Sequence, residues 1–253
     1  MEGSAADIFH QLEWSFIILG MIAVLGGAVT QGITGLGFGM VSAPFLLLIN
    51  PMFVPGPMLL LAGAISFMVV LREGKQIDLK ALSVAIGGRI PGTILAALTF
   101  SLIPLALYGV IFGILVLIAV ILTGTKLKIL PSNLNLSIAG FVSGFMGTLT
   151  SVGAPPMALA YQHGKPEVMR PTLAAFFLIG SLLSLLALFF FGNFTTEHIY
   201  VTAFFIPVLY IGFRISIFIV PLIDQRIMRR IMLIISGTSS IILIIRSVMT
   251  LYA

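Results

Sequence analysis

Cysteine is absent from the 253 residues, which removes disulfides, thiolate nucleophiles and cysteine-based metal sites from consideration. Charge is scarce as well. Asp, Glu, Lys and Arg together make up 8% of the chain, too little polar surface to clothe a soluble globule. Long polar stretches are missing: the connections reach about ten residues at most, so no soluble domain fits. Acidic residues sit only at the ends of the apolar runs or outside them, and His10, His163 and His198 fall at ends or in loops. An intramembrane enzyme would need a nucleophile with its base, or a set of metal ligands. Neither can be assembled from what the runs contain, so we expect no enzyme activity, no metal and no cofactor.

What is present is apolar. Hydrophobic residues make up 59% of the chain and the mean hydropathy is +1.20. Continuous apolar runs, each about the 20 residues that cross about 30 Å of hydrocarbon, occupy 52–72, 77–100, 102–123, 170–192, 196–221 and 226–252. Their continuity argues against a β-barrel, whose strands alternate. The expected fold class is an all-α polytopic membrane protein. The first thirteen residues carry Glu2, Asp7 and Glu13 without Lys or Arg, the wrong flank for a cleavable signal, so Trp14 onward is read as membrane segment. The net charge of +5 then speaks for topology rather than for a nucleic-acid partner.

Two further segments, 14–50 and 134–163, are apolar but rich in glycine. GGAVTQGITGLGFGMVSAP, from Gly26 to Pro44, holds six glycines in nineteen residues and no charge. At an offset of 112, Gly32, Gly35 and Pro44 fall on Gly144, Gly147 and Pro156, and Pro57, Gly74 and Gly92 match Pro171, Gly192 and Gly212 at offsets drifting from 114 to 120. The order of these matches reads as a duplicated unit. The expected organisation is a first repeat over 1–125, a basic connecting loop over 126–133 and a second repeat over 134–253. Each repeat holds one glycine-tipped re-entrant or broken helical hairpin and three transmembrane helices.

Loop charge selects the threading. If each glycine-rich unit crossed once, the ten loop cations would split five and five. If each returns to its own side, Arg72, Lys75, Lys80, Lys126, Lys128, Lys165, Arg170, Arg226, Arg229 and Arg230 share one face, as the positive-inside tendency requires. The repeats are then inverted, both termini are expected in the periplasm, and hairpin arms of about 12 to 15 residues, about 20 Å long, end near the midplane.

Irregular backbone at that depth is tolerated where protein buries it or a wet cavity meets it. A returning half-helix that starts there aims free N–H groups and a positive dipole end inward, an anion site. The expected lining is Gln31, Thr34, Gly35, Gly37 and Gly39 from the first tip and Gly147, Thr148, Thr150, Ser151 and Gly153 from the second. Gly32, Pro44, Gly144, Pro155 and Pro156 are expected as structural hinges. Arg89 and Arg214 lie about twelve and nineteen residues into their runs, each beside a repeated glycine. Charge at that depth is expensive and marks function, so both are expected to hold the anion. Arg246 lies near enough to an end to snorkel.

These motifs, the duplication and the small basic chain resemble the sulfite exporter TauE/SafE family of bacterial membrane permeases over nearly the whole length. The resemblance implies transport of small sulfur-containing anions such as sulfite, thiosulfate or organosulfonates across the bacterial inner membrane, and carries over the two glycine-rich regions as substrate lining. A passive anion channel and a carrier of non-sulfur organic anions use the same donors and stay open at this point. The partners expected are the small anion and the lipid bilayer, and assembly as a homo-oligomer is compatible with the sequence.

Overall fold

The computed structural model describes residues 14–125, 129, 132–161, 165–220 and 222–252. Every regular element among them is helical: α1 (Trp14–Thr34), α2 (Phe38–Ile49), α3 (Gly56–Glu73), α4 (Leu79–Leu102), α5 (Leu105–Gly124), α6 (Asn133–Thr150), α7 (Ala154–Tyr161), α8 (Pro166–Phe190), α9 (Thr196–Ile219) and α10 (Gln225–Tyr252), with short 3-10 turns at Pro51–Phe53 and Gly74–Gln76. Helix starts follow local chemistry. Asp78 accepts from the Ala81 N–H at 3.0 Å, Ser132 from Asn135 at 3.1 Å, and the His198 ring accepts from Thr195 N–H at 3.0 Å. Proline opens α8.

Seven of these helices are long and apolar enough to cross a membrane, and the chain is a multi-pass membrane protein. Six match the continuous runs. The seventh, Phe16–Thr34, corrects the expectation of a short arm: α1 has 21 residues and α6 has 18, and only the returning helices α2 and α7, with 12 and 8, are short.

Side-chain contacts sort the helix ends. Arg170 near the start of α8 pairs with Glu73 at the end of α3 at 3.1 Å. The Asp78 N–H, just before α4, donates to Thr172 at 3.0 Å. Arg229 of α10 donates to the Thr123 carbonyl near the end of α5. The starts of α4, α6, α8 and α10 and the ends of α3, α5 and α7 therefore gather at one end of the bundle, with Arg72, Lys80, Lys165, Arg170, Arg226, Arg229 and Arg230. Lys126 and Lys128 lie outside the described residues, as do His10, His163 and the acidic residues before Trp14. Gly20, Leu25 and Gly32 of α1 meet Phe205, Gly212 and Ser216 of α9 in that order, so these two helices run parallel. The end of α2 lies at the opposite face, where Arg246 donates to the Leu48 carbonyl at 2.6 Å.

The most extensive helix pairings are α4 with α6, α3 with α8, α1 with α9 and α5 with α10. Replacing each helix by the one five places on returns the same set. The first pairing is backbone on backbone. A Cβ on Gly88 or Gly92 would overlap the carbonyl of Ser137 or Phe141, and one on Gly140 or Gly144 that of Ala85 or Arg89. Gly32, for its part, abuts Ser216. Gly32 and Gly144 thus lie within helices and pack, correcting their reading as hinges. Pro44 is corrected too: it sits inside α2, and the Met40 carbonyl that its missing N–H leaves free is taken by the Ser236 hydroxyl at 2.8 Å. Pro155 and Pro156 occupy the first turn of α7.

Candidate functional site: a cavity between two helix breaks

The two breaks share one local design. At the end of α1, the Thr34 hydroxyl donates to the Thr30 carbonyl at 2.8 Å and accepts from the Leu36 N–H at 3.2 Å. At the end of α6, Thr150 donates to Met146 at 2.7 Å and accepts from Val152 at 3.1 Å. The next residue is left-handed in both, Gly35 at φ 76° and Ser151 at φ 60°. Matching positions are therefore 116 residues apart, four more than the glycine identities suggest. The first break has a second special residue, Gly37 at φ 119°.

The breaks touch: a Cβ on Gly39 would run into the Ser151 carbonyl. Between them lies a cavity of about 50 Å³, lined by Gln31, Gly37, Phe38, Gly39 and Met40 from one break, Gly147 and residues 151–154 from the other, and Ser66, Arg89 and Ser181 from α3, α4 and α8. At about 10–15 Å³ each, this is room for on the order of four water-sized groups. The first turns of α2 and α7 both begin on its wall, so two positive helix ends meet there.

Arg89 dominates the electrostatics. Its side chain is 3% exposed, stacks over the Phe176 ring at 4.9 Å and reaches the Ser143 hydroxyl at 3.4 Å. Its Nε has no hydrogen-bond partner, and no carboxylate pairs with it among the described residues. Glycines make the space. A Cβ on Gly180 would overlap the guanidinium, and one on Gly147 would stand 3.3 Å from Nη2. The profile of the sulfite exporter TauE/SafE family matches residues 19–243, a stretch that contains both breaks and Arg89. The chain belongs to the TauE/SafE family. No curated protein and no solved structure matches it.

Membership makes this TauE/SafE chain one of a family of membrane anion exporters rather than enzymes. Its expected site residues divide into three groups. Gln31, Gly37, Gly39, Arg89, Gly147, Ser151 and Gly153 line the cavity. Gln31 is also a clamp, its Oε1 accepting from the Phe38 N–H and its Nε2 donating to the Gly35 carbonyl, both at 3.1 Å. Thr34, Thr150, Gly35 and Thr148 stand outside it. The first two cap the breaks, Gly35 faces Arg170, and Thr148 bonds Ser184 at 2.8 Å. Arg214 is a correction, because it is exposed on α9 five residues before the helix ends and is not among the residues that line the cavity. Among the described residues no group of three or more His, Cys, Asp or Glu side chains forms a metal site.

Sequence reading missed Ser66, Ser181 and Met40. The two serines are 115 residues apart, inside the drifting repeat offset, and that signal would have found them. It also missed the brace on the first break, where Arg170 donates to the Gly32 carbonyl at 3.2 Å while paired with Glu73. A second cavity of about 340 Å³, with Thr34, Thr123, Arg226 and Arg229 in its walls, lies at the basic end of this TauE/SafE protein. It shares Met40 and Ala154 with the central one. Away from the basic end the second break is held by the Tyr108 hydroxyl on the Leu149 carbonyl at 2.7 Å and by Ser151 on the Pro55 carbonyl at 3.4 Å.

Proposed function

We propose that the protein is a secondary transporter of a small sulfur-containing oxyanion, of the sulfite, thiosulfate or organosulfonate class, across the bacterial inner membrane. The anion binds near the midplane between the two helix breaks. The observation that carries this reading is the buried Arg89 guanidinium, without a carboxylate partner among the described residues, beside a cavity where two half-helices start. A bound oxyanion supplies the missing counter-charge, and guanidinium donors match it in pairs. Ser66 and Ser181 add hydroxyls. The small volume of the cavity, about 50 Å³, favours a compact oxyanion over a bulky sulfonate.

In this reading residues 1–125 and 134–253 are inverted repeats joined by 126–133, as the exchange of helix pairings supports. The basic end faces the cytoplasm and both termini face the periplasm. The cavity with Arg226 and Arg229 is the cytoplasmic approach, and the bonds on Leu149 and Pro55 close the other side. Access from one side at a time favours a carrier over a channel. Proteoliposomes preloaded with sulfite decide it: external sulfite accelerates tracer exit, sulfate and bulky sulfonates do so less, and Arg89→Gln removes the flux. Equal flux for all anions without counter-transport defeats the carrier reading.

A further inference from the structure

The central cavity and the cavity at the basic end are distinct spaces that meet at common wall residues, and what stands where they meet is methionine. Met40, in the first turn of α2, lines both. Its Sδ lies 3.7 Å from the hydroxyl of Thr123, a wall residue of the basic cavity, and its carbonyl accepts from Ser236 at 2.8 Å. Met232 of α10 lines the basic cavity and reaches Gly37, which lines the central one: a Cβ on Gly37 would stand 2.5 Å from the Met232 Sδ. Neither methionine is more than 3% exposed.

Two borders of the central cavity differ in how they can yield. Where the breaks touch, Gly39 meets the Ser151 carbonyl backbone on backbone, and no side chain is there to rotate aside. Toward the basic cavity the contact is made by unbranched thioether chains, which change rotamer without moving the backbone. Arg226 and Arg229 in the wall of the wide basic cavity raise the concentration of an anion on the outer side of this contact. We propose that Met40 and Met232 form the gate between the basic cavity and the central anion site. Their side chains swing aside to admit the anion, and the width they leave limits the size of anion that passes. The gate rests on the reading of the central cavity as the anion site.

The chain contains no cysteine, so a single introduced thiol reports access without background. Ser66→Cys places one in the wall of the central cavity, and iodoacetate, a compact anion, alkylates it in full-length monodisperse protein, read by intact mass. Alkylation is slow with both methionines present and becomes about tenfold faster or more when Met40→Ala or Met232→Ala is added. Met58→Ala, an equal truncation of a buried residue in the wall of neither cavity, leaves the rate within about twofold. Met232→Leu keeps the volume but branches the chain, and in proteoliposomes it slows sulfite exchange about threefold to tenfold with calorimetric affinity unchanged. Unchanged alkylation in both alanine variants overturns the gate and leaves the anion site standing, as does fast alkylation with both methionines present or wild-type exchange in Met232→Leu. Absence of sulfite binding and exchange in the wild type overturns the anion site, and the gate with it.

Discussion

The two helix breaks are built alike in backbone and differently in side chain. Each has a threonine folded back on its own helix, a left-handed residue and a short returning helix. The first, at Gly35, is braced by Arg170 and its partner Glu73 and borders the wide basic cavity. The second, at Ser151, is held by Ser151 donating to the Pro55 carbonyl and by the Tyr108 hydroxyl donating to the Leu149 carbonyl, and lies against Arg89 and Ser143. The comparison teaches that two breaks of one backbone geometry differ in charge: Arg170 at the first is paired with Glu73, while Arg89 at the second has no carboxylate partner among the described residues.

That asymmetry is most sharply tested at the two arginines. Arg89→Gln should lower anion affinity about tenfold to a hundredfold by calorimetry on monodisperse protein, because it removes a hydrogen-bonding charge worth roughly 1.5 to 3 kcal/mol. Arg89→Lys should recover only part, and Arg214→Gln should stay within about twofold. Equal losses at both positions would restore the symmetric site. Next in size is contact between the breaks. Gly39→Ala pushes a methyl into the Ser151 carbonyl and should abolish flux with insertion retained, whereas Gly26→Ala, which meets nothing within 4 Å, should transport normally. Normal flux in Gly39→Ala would mean that the breaks move apart freely.

A smaller contrast lies in the left-handed residues. Gly35→Ala should destabilise the protein by about 1–2 kcal/mol in thermal unfolding. Ser151→Gly should be nearly neutral, because relief of its backbone offsets the lost bond to Pro55. Similar losses in both would show that the hydroxyl, not the backbone, governs the second break. The smallest effect is expected from Glu73→Gln, which weakens a half-buried ion pair by about 0.2–1 kcal/mol and should lower the melting temperature slightly. A drop as large as that of Gly35→Ala would make the ion pair the principal support of the first break.

The spans were legible because hydropathy alone sets them: runs 52–72 and 102–123 became Gly56–Glu73 and Leu105–Gly124. The breaks were legible only in outline. Glycine identity at an offset of 112 pointed to Gly32 and Gly144, which pack helices, while the left-handed position is Gly35 in one half and Ser151 in the other; the glycine the breaks do share, Gly37 with Gly153, matches only at an offset of 116. Arg214 misled for a geometrical reason. Arg89 stands three residues before Gly92 and Arg214 two after Gly212. At about 100° per residue those five positions turn the side chains about 140° apart. With both glycines against the neighbouring arm, one arginine faces inward and the other outward.

The glycine seam between α4 and α6 has a mechanical consequence. Where carbonyl meets Cα with no side chain between, sliding one helix along the other drives atom into atom, and the pair moves as a single stiff beam. Gly63 and Gly109 instead face the side chains of Ser181 and Ser247, in the α3–α8 and α5–α10 interfaces. Rotamers yield where backbones do not. Sliding is therefore resisted less at those two serine contacts than along the glycine seam, and Arg89, carried on the seam, is held in register with α6.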